Sequence, residues 1–245
     1  MNENRFLELF NDLDKVLRKV CQVEDGEHAD VGSMLAKAKD LSPVNPVQAN
    51  WDNLYVARQL RNLMVHERRT GLKEVAQPSQ ELISVLERVI EEYERPLTLE
   101  QYLQTTSKPT PIVFQANDRV QEALAVIERE HFSKFPIFSD KGYQGLVSEN
   151  GLTNWLAKAS QQATSLQDLV YQTNLGELLA FEETSLQVRP LSAQASLYQL
   201  VAIFEEYKRA AVLVSKQKDA RIQTPSDLIG IVTSQDLAEI YMKIG

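Results

Sequence analysis

The chain has one cysteine, Cys21, and three histidines among 245 residues. A lone thiol closes no intrachain disulfide, and so few Cys and His leave nothing from which to build a Cys/His zinc cluster. A reducing cytosol is the compartment this composition implies. Long hydrophobic runs are also lacking: no stretch approaches the roughly 20 apolar residues of a membrane span, and the amino terminus has no basic segment leading into an apolar one. The expectation is a cytoplasmic protein with no membrane association. Positive charge is in deficit, 26 Lys and Arg against 34 Asp and Glu for a net charge of −8, which argues against a chain whose main role is to coat nucleic acid. With 43% hydrophobic residues, the chain can bury a core sufficient for one large domain or two ordinary ones.

Apolar residues at Phe6, Leu9, Phe10, Leu13, Val16, Leu17, Val20 and Cys21 have the three-and-four spacing of an amphipathic helix from Arg5 to Cys21. A second helix runs through Val31, Met34, Leu35, Ala38 and Leu41 until Ser42-Pro43 and Pro46 end it. A third is predicted from about Ala49 to Arg69 with Gly71 as its left-handed cap, and a fourth from Pro78-Ser79 to Pro96. Residues 1–95 therefore read as an antiparallel all-α bundle.

Beyond a turn-rich connection from Thr105 to Pro111, short strands alternate with helices. Ile112-Val113-Phe114 reads as a strand, and Asp118 as the cap of a helix carrying Val120, Ala123, Leu124 and Ile127. Phe135–Phe138 and Gly145–Val147 read as strands, and Glu149 to Lys158 as a helix. After a polar helical connection from Ser165 to Phe181, the order β-α-β-β-α returns: Leu186–Val188, Leu197–Tyr207, Ala211–Val214, Leu228–Val232 and Ser234–Lys243. Val120 matches Leu197 and Ile127 matches Phe204; after a one-residue gap, Phe135–Ser139 matches Ala211–Ser215. The second copy carries an extra polar stretch, Lys216–Asp227, expected as an exposed loop. Both copies close on one phrase, Gly145-Leu146-Val147-Ser148 and Gly230-Ile231-Val232-Thr233. The fold class is thus α+β in two domains, divided as 1–95 for the bundle, 96–164 for the first repeat and 165–245 for the second.

These two copies resemble a pair of CBS domains, the tandem repeat called a Bateman module, over residues 97–245. The resemblance is carried by the helix, the strand Lys134-Phe135-Pro136-Ile137 and the Gly-x-x-Ser/Thr element, met twice in the same order. It implies a regulatory adenosine-containing ligand, such as AMP, ADP or ATP, in a cleft between the copies, and no required cofactor. The hydroxyl residue and an Asp three positions later are implied near its ribose and phosphates. A carboxylate can accept both vicinal ribose hydroxyls, and a Thr at a helix start can assist an anion held by backbone N–H groups. Thr233 and Asp236 keep this pattern; the first copy has Ser148 but Gly151 in the acidic place, with Asn150 out of register, so at most one well-formed site is expected. Lys134 and Lys208-Arg209 are the candidate phosphate partners. The plainer alternative is that these cations are solvated helix ends and that Asp236 only caps the last helix.

In the predicted third helix, Val56, Ala57, Leu60, Leu63 and Met64 share one stripe, taken as core; Arg58, Arg61, Asn62 and His66 lie opposite, beside Trp51 and Tyr55. A cationic and aromatic face suits an interface or a nucleic-acid groove. Arg61-Asn62-Leu63-Met64-Val65-His66 resembles the Arg-x4-His motif of the HEPN superfamily, helical domains that dimerise through this helix. In catalytic members the resemblance implies metal-independent ribonuclease chemistry, with His66 as acid or base, Arg61 stabilising phosphate charge and Asn62 orienting either. His28 and His131 have no companions at metal-ligand spacing and read as turn or surface residues.

Three functions stay open at this point. The first is a homodimeric sensor whose CBS pair binds an adenosine-containing ligand and modulates an HEPN-like domain. The second is a nucleotide-gated ribonuclease acting on RNA through Arg61 and His66. The third is a ligand-free oligomerisation scaffold.

Overall fold

The computed structural model describes residues 2–24, 26–67, 76–161 and 165–244, the side chains of His66 and Glu67 excepted. Gly71 and Arg68-Arg69 lie outside the described residues. The chain divides into two units: Met1–Leu97 with Ser196–Glu205 and Ile244–Gly245, and Thr98–Ala195 with Glu206–Lys243.

The first unit starts with α1, Asn2–Val20, which buries Phe6, Leu9, Phe10, Leu13, Val16 and Leu17 along one stripe. Asp30 caps α2, Val31–Asp40, by accepting the N–H groups of Gly32 and Ser33. The helix expected from about Ala49 is α4, Trp51–Glu67, and a short helix not foreseen, α3 at Pro46–Ala49, precedes it. The joint is Asn50, a buried amide whose Nδ2 donates to the Pro46 carbonyl at 2.9 Å and whose Oδ1 accepts from Arg88 at 2.7 Å. An amide side chain that meets the backbone locally competes with helix continuation, which accounts for the break. Ser79 caps α5, Gln80–Glu94.

The faces of α4 match the expected ones only in part, with Leu60 packed against the core as expected. Leu54, Ala57 and Met64 are buried, whereas Val56 is 53% exposed, Leu63 40% and Tyr55 50%. The arginines turn inward: the Arg61 guanidinium lies 5.8 Å from the centre of the Phe10 ring, and Arg58 approaches Asp30 at 3.7 Å. Long arginine stems can cover apolar surface while their heads find polar or aromatic company, so an arginine face need not be a solvent face.

The second unit opens with α6, Leu99–Thr105, capped reciprocally by Thr98 and Gln101. Next come β1 (Phe114–Gln115), α7 (Val120–Glu130), β2 (Lys134–Ser139), β3 (Gly142–Ser148) and α8 (Glu149–Ala159). Helices α9 (Leu166–Gln172) and α10 (Leu175–Leu178) lead through a 3-10 turn, Leu179–Phe181, into β4 (Gln187–Ser192). After α11 (Leu197–Glu206) come β5 (Ala210–Ser215), β6 (Leu228–Thr233), a 3-10 turn at Ser234–Asp236 and α12 (Leu237–Ile244). The segment Ser196–Glu205 belongs to the first unit. The first strand is shorter than expected, beginning at Phe114. Asp118 does not cap α7: its carboxylate accepts the Gln115 N–H at 2.7 Å, and Arg119 takes the cap position with Glu122 accepting its N–H.

Each repeat forms a three-stranded sheet, β1-β2-β3 and β4-β5-β6, with the first pair parallel and the second antiparallel. Ile137 faces Gly145 in one ladder and Val214 faces Gly230 in the other. Phe135 therefore corresponds to Val212, not to Ala211; the helix correspondence continues into the strands and the expected gap disappears. The repeated glycine is explained by close approach. A Cβ on Gly145 would sit 2.8 Å from a methyl of Leu179, and one on Gly230 would sit 2.5 Å from a methyl of Leu103. Each leucine precedes one repeat and covers the glycine of the other. Backbone bonds follow the same exchange: Leu99 and Glu100 donate to Ala195 and Ala193, while Leu175 and Gly176 donate to Asp118 and Ala116. Leu146 packs with Ala211, Leu213 and Leu228 in one cluster, so the repeats share a core.

Candidate functional site

Two neighbouring hollows in the second unit gather all six candidate binding residues. The first, of about 220 Å³, is lined by Thr233 and Asp236, by Lys108 and Lys134, and by the apolar groups of Pro109, Pro111, Ile112, Phe132 and Ile231. The second, of about 210 Å³, is lined by Ser148, Glu182, Glu183, Lys208 and Arg209. Lys134 and Thr233 line both.

At the first hollow, Thr233 ends β6 and opens the 3-10 turn that follows. Its N–H donates to Asp236 Oδ2 at 2.8 Å, and its side chain returns the favour to the Asp236 N–H. The other carboxylate oxygen, Oδ1, pairs with the Lys108 ammonium. Both partners are largely shielded, at 15% and 23% side-chain exposure, so this pair is less screened than a surface ion pair. Nearby, burial is the main cause that pushes the Tyr102 hydroxyl above its ordinary range, with the negative charges of Asp236 and Glu239 adding to it. Asp236 is thus both cap and wall. His131 ends α7 in the left-handed conformation at φ 58° and joins the rim.

At the second hollow, Ser148 ends β3 and caps α8, accepting the Gly151 N–H at 3.3 Å. The acid missing from position 151 is replaced from a distance. Glu182 Oε1 accepts the Ser148 N–H at 2.6 Å, and Oε2 accepts the Ser148 hydroxyl at 2.7 Å. A Cβ on Gly151 would stand 1.8 Å from Glu182 Oε1, so the glycine is what admits this carboxylate. On the rim, Arg209 pairs with Glu183 and lies 3.2 Å from the Ser185 hydroxyl.

The corresponding walls differ in chemistry. Following the ladder correspondence, the stretch His131-Phe132-Ser133 of the first hollow matches Lys208-Arg209-Ala210 of the second. The first hollow therefore offers a flat apolar wall to a planar ring, and the second a cationic rim. Sequence reasoning missed Lys108, which lies in the turn-rich connection, and Glu182, which reaches Ser148 across 34 positions. No spacing rule points to either.

The other three candidates lie in the helical unit. Arg61 lies over Phe10, Asn62 is half-buried, and the side chain of His66 lies outside the described residues. Among the described residues no cluster of His, Cys, Asp or Glu is arranged to hold a metal ion, and no helix is long and apolar enough to cross a membrane.

Comparison with known proteins adds a family to this geometry. Residues 106–158 match the profile of the CBS domain. No curated protein sequence matches the chain. Among solved structures, the chain is similar to a protein with CBS domains from Burkholderia ambifaria MC40-6, with 18% identity, a TM-score of 0.41 and coverage of 60% of this chain and 94% of that one. It is similar to CBSX2, crystallised with AMP, at 19% identity, a TM-score of 0.39 and coverage of 60% and 97%. A CBS domain-containing protein from Kribbella flavida DSM 17836 gives 16% identity, a TM-score of 0.41 and coverage of 55% and 93%. Residues 106–158 form a CBS domain, and the chain beyond them repeats the same order of elements.

Proposed function

We propose that the second unit binds an adenosine-containing nucleotide in the hollow at Thr233 and Asp236, and that this binding regulates the helical unit. The observation that carries the reading is a carboxylate with unequal oxygens. Asp236 Oδ2 is fixed by the Thr233 N–H, whereas the partner of Oδ1 among the described residues is the long side chain of Lys108. A ribose hydroxyl can take the place of the ammonium on Oδ1, and the released Lys108 can then meet phosphate together with Lys134. The purine fits the wall of Ile112, Phe132 and Ile231. Phosphates extending past Lys134 reach toward Lys208 and Arg209, whose charge suits them.

Exchange of the Lys108 partner gives the ligand a differential contact, which any regulatory shift requires. The output in this reading is an HEPN-like helical unit that dimerises through α4, so the protein acts as a homodimeric sensor in the cytoplasm. No observation favours the ribonuclease reading, since Arg61 lies over Phe10.

Calorimetry on the full chain with AMP, ADP, ATP and S-adenosylmethionine tests the proposal. At least one of them is expected to bind, and Asp236→Asn is expected to weaken it tenfold or more, a loss of about 1.4 kcal/mol or greater. Absence of heat with all four would leave the scaffold reading in its place.

A further inference from the structure

We infer that Glu182 is an internal occupant of the second hollow, and that it limits the protein to one nucleotide per chain. This inference rests on the proposed nucleotide site. In both repeats the N–H of the hydroxyl residue that ends the third strand is met by a carboxylate: Thr233 by Asp236 at 2.8 Å, and Ser148 by Glu182 at 2.6 Å. The two carboxylates differ in what they leave available. Asp236 commits one oxygen to its repeat and presents the other to an exchangeable lysine. Glu182 commits both oxygens to Ser148, one to the N–H and one to the hydroxyl.

A ribose entering the second hollow would have to share the Glu182 carboxylate with two fixed donors of Ser148, where in the first it displaces a lysine. The carboxylate also stands where a local acid would project, so a Cβ at position 151 would displace it. Its negative charge, with that of Glu149 on the same hollow, opposes a second polyphosphate. A ligand in the first hollow meets no such opposition at Asp236, because Lys108 already neutralises that site. The cations Lys208 and Arg209 then serve the phosphate end of the single nucleotide in place of a second one.

The rearrangement that undoes this guard can be written from the first copy's own partner. Gly151→Asp combined with Glu182→Ala gives Ser148 an acid three positions on, the spacing of Thr233 and Asp236. Calorimetry with ATP on the full chain reads the number of sites. The expected result is one site in the parent and two in the double variant, with Glu182→Ala alone gaining a second, weaker site. Retained melting temperature confirms folding, and the double variant replaces the Ser148 partner should Glu182→Ala alone fail to fold. Two sites in the parent, or one site in the folded double variant, would overturn the guard while leaving the nucleotide site intact. No binding to either protein would instead remove the nucleotide site, and the guard with it.

Discussion

The two repeats share a strand ladder, a glycine under a leucine and a carboxylate on the same backbone N–H, yet they reach that carboxylate by different routes. The second repeat carries its acid three residues after Thr233, whereas the first imports one from the segment leading into the other repeat. The first repeat's turn region returns the exchange by sending Lys108 to Asp236. Matching a backbone donor is thus kept in both copies, because a shielded N–H without an acceptor costs about 1–3 kcal/mol. Which chain segment supplies the acceptor is free to vary. The two hollows consequently share a frame and differ in availability.

The most severe test of this difference is Gly151→Ala. The new Cβ meets Glu182 Oε1, so the carboxylate must leave Ser148. Two charge-assisted bonds are lost, against a gain of roughly 1 kcal/mol for replacing glycine inside a helix. A net loss of about 2 kcal/mol is expected as a lowered urea midpoint, and an unchanged or raised midpoint would show that Glu182 does not occupy that place.

A smaller effect concerns the stretch that only the second repeat has. Between Lys216 and Asp227 the Asp227 carboxylate accepts from the Gln217 side chain and from the Gln223 and Thr224 N–H groups. These bonds, the Gln217 one foremost, hold its carboxyl well below the ordinary value of 3.8. A depressed folded-state value stabilises the fold at pH above 3.8, and that contribution is lost as the pH falls through the folded value. Asp227→Asn should lower the urea midpoint at neutral pH, with the difference from the parent shrinking as the pH falls below 3.8. A difference that did not change with pH would mean that the carboxylate charge is not what these donors recognise.

The smallest effect runs in the opposite direction. Two residues before the repeated glycine stand Tyr143 in the first repeat and Leu228 in the second, both packed in the shared core. The Tyr143 hydroxyl is buried with no hydrogen-bond partner among the described residues, and burial pushes its ionisation upward. Tyr143→Phe removes that stranded group and is expected to raise stability by up to about 1 kcal/mol, read as a higher urea midpoint. A loss of stability would mean that the hydroxyl is satisfied in solution.

How much of this was legible in the sequence follows from the range of the interactions. The repeat order is a local pattern and the structure keeps it, with the strands read as ending at Val147 and Val232 running one residue further; the bond from the Thr233 N–H to Asp236 was not foreseen. The helices of the bundle were legible wherever apolar spacing was regular, as in α1 and α5. On α4 the apolar residues are spread around the axis, so Ala57, Leu60 and Met64 were read correctly as core while Val56 and Leu63 were not, and arginine was wrongly equated with solvent. Asn50, which separates α3 from α4, is also held by Arg88, 38 positions away. Glu182 and Lys108 were invisible for the same reason: their partners are set by tertiary proximity, and position 151 showed only that an acid was missing.

The division of the chain also bears on how the molecule can be taken apart. The backbone passes between the two units after Leu97, Ala195, Glu205 and Lys243. A fragment ending near residue 97 would lose Tyr198, whose hydroxyl lies 2.8 Å from Glu92, a carboxylate whose ionisation burial already disfavours. No single scission liberates either unit whole. The two units are thus stitched rather than strung, and a genetic exchange of one for another would have to carry the α11 seam with it.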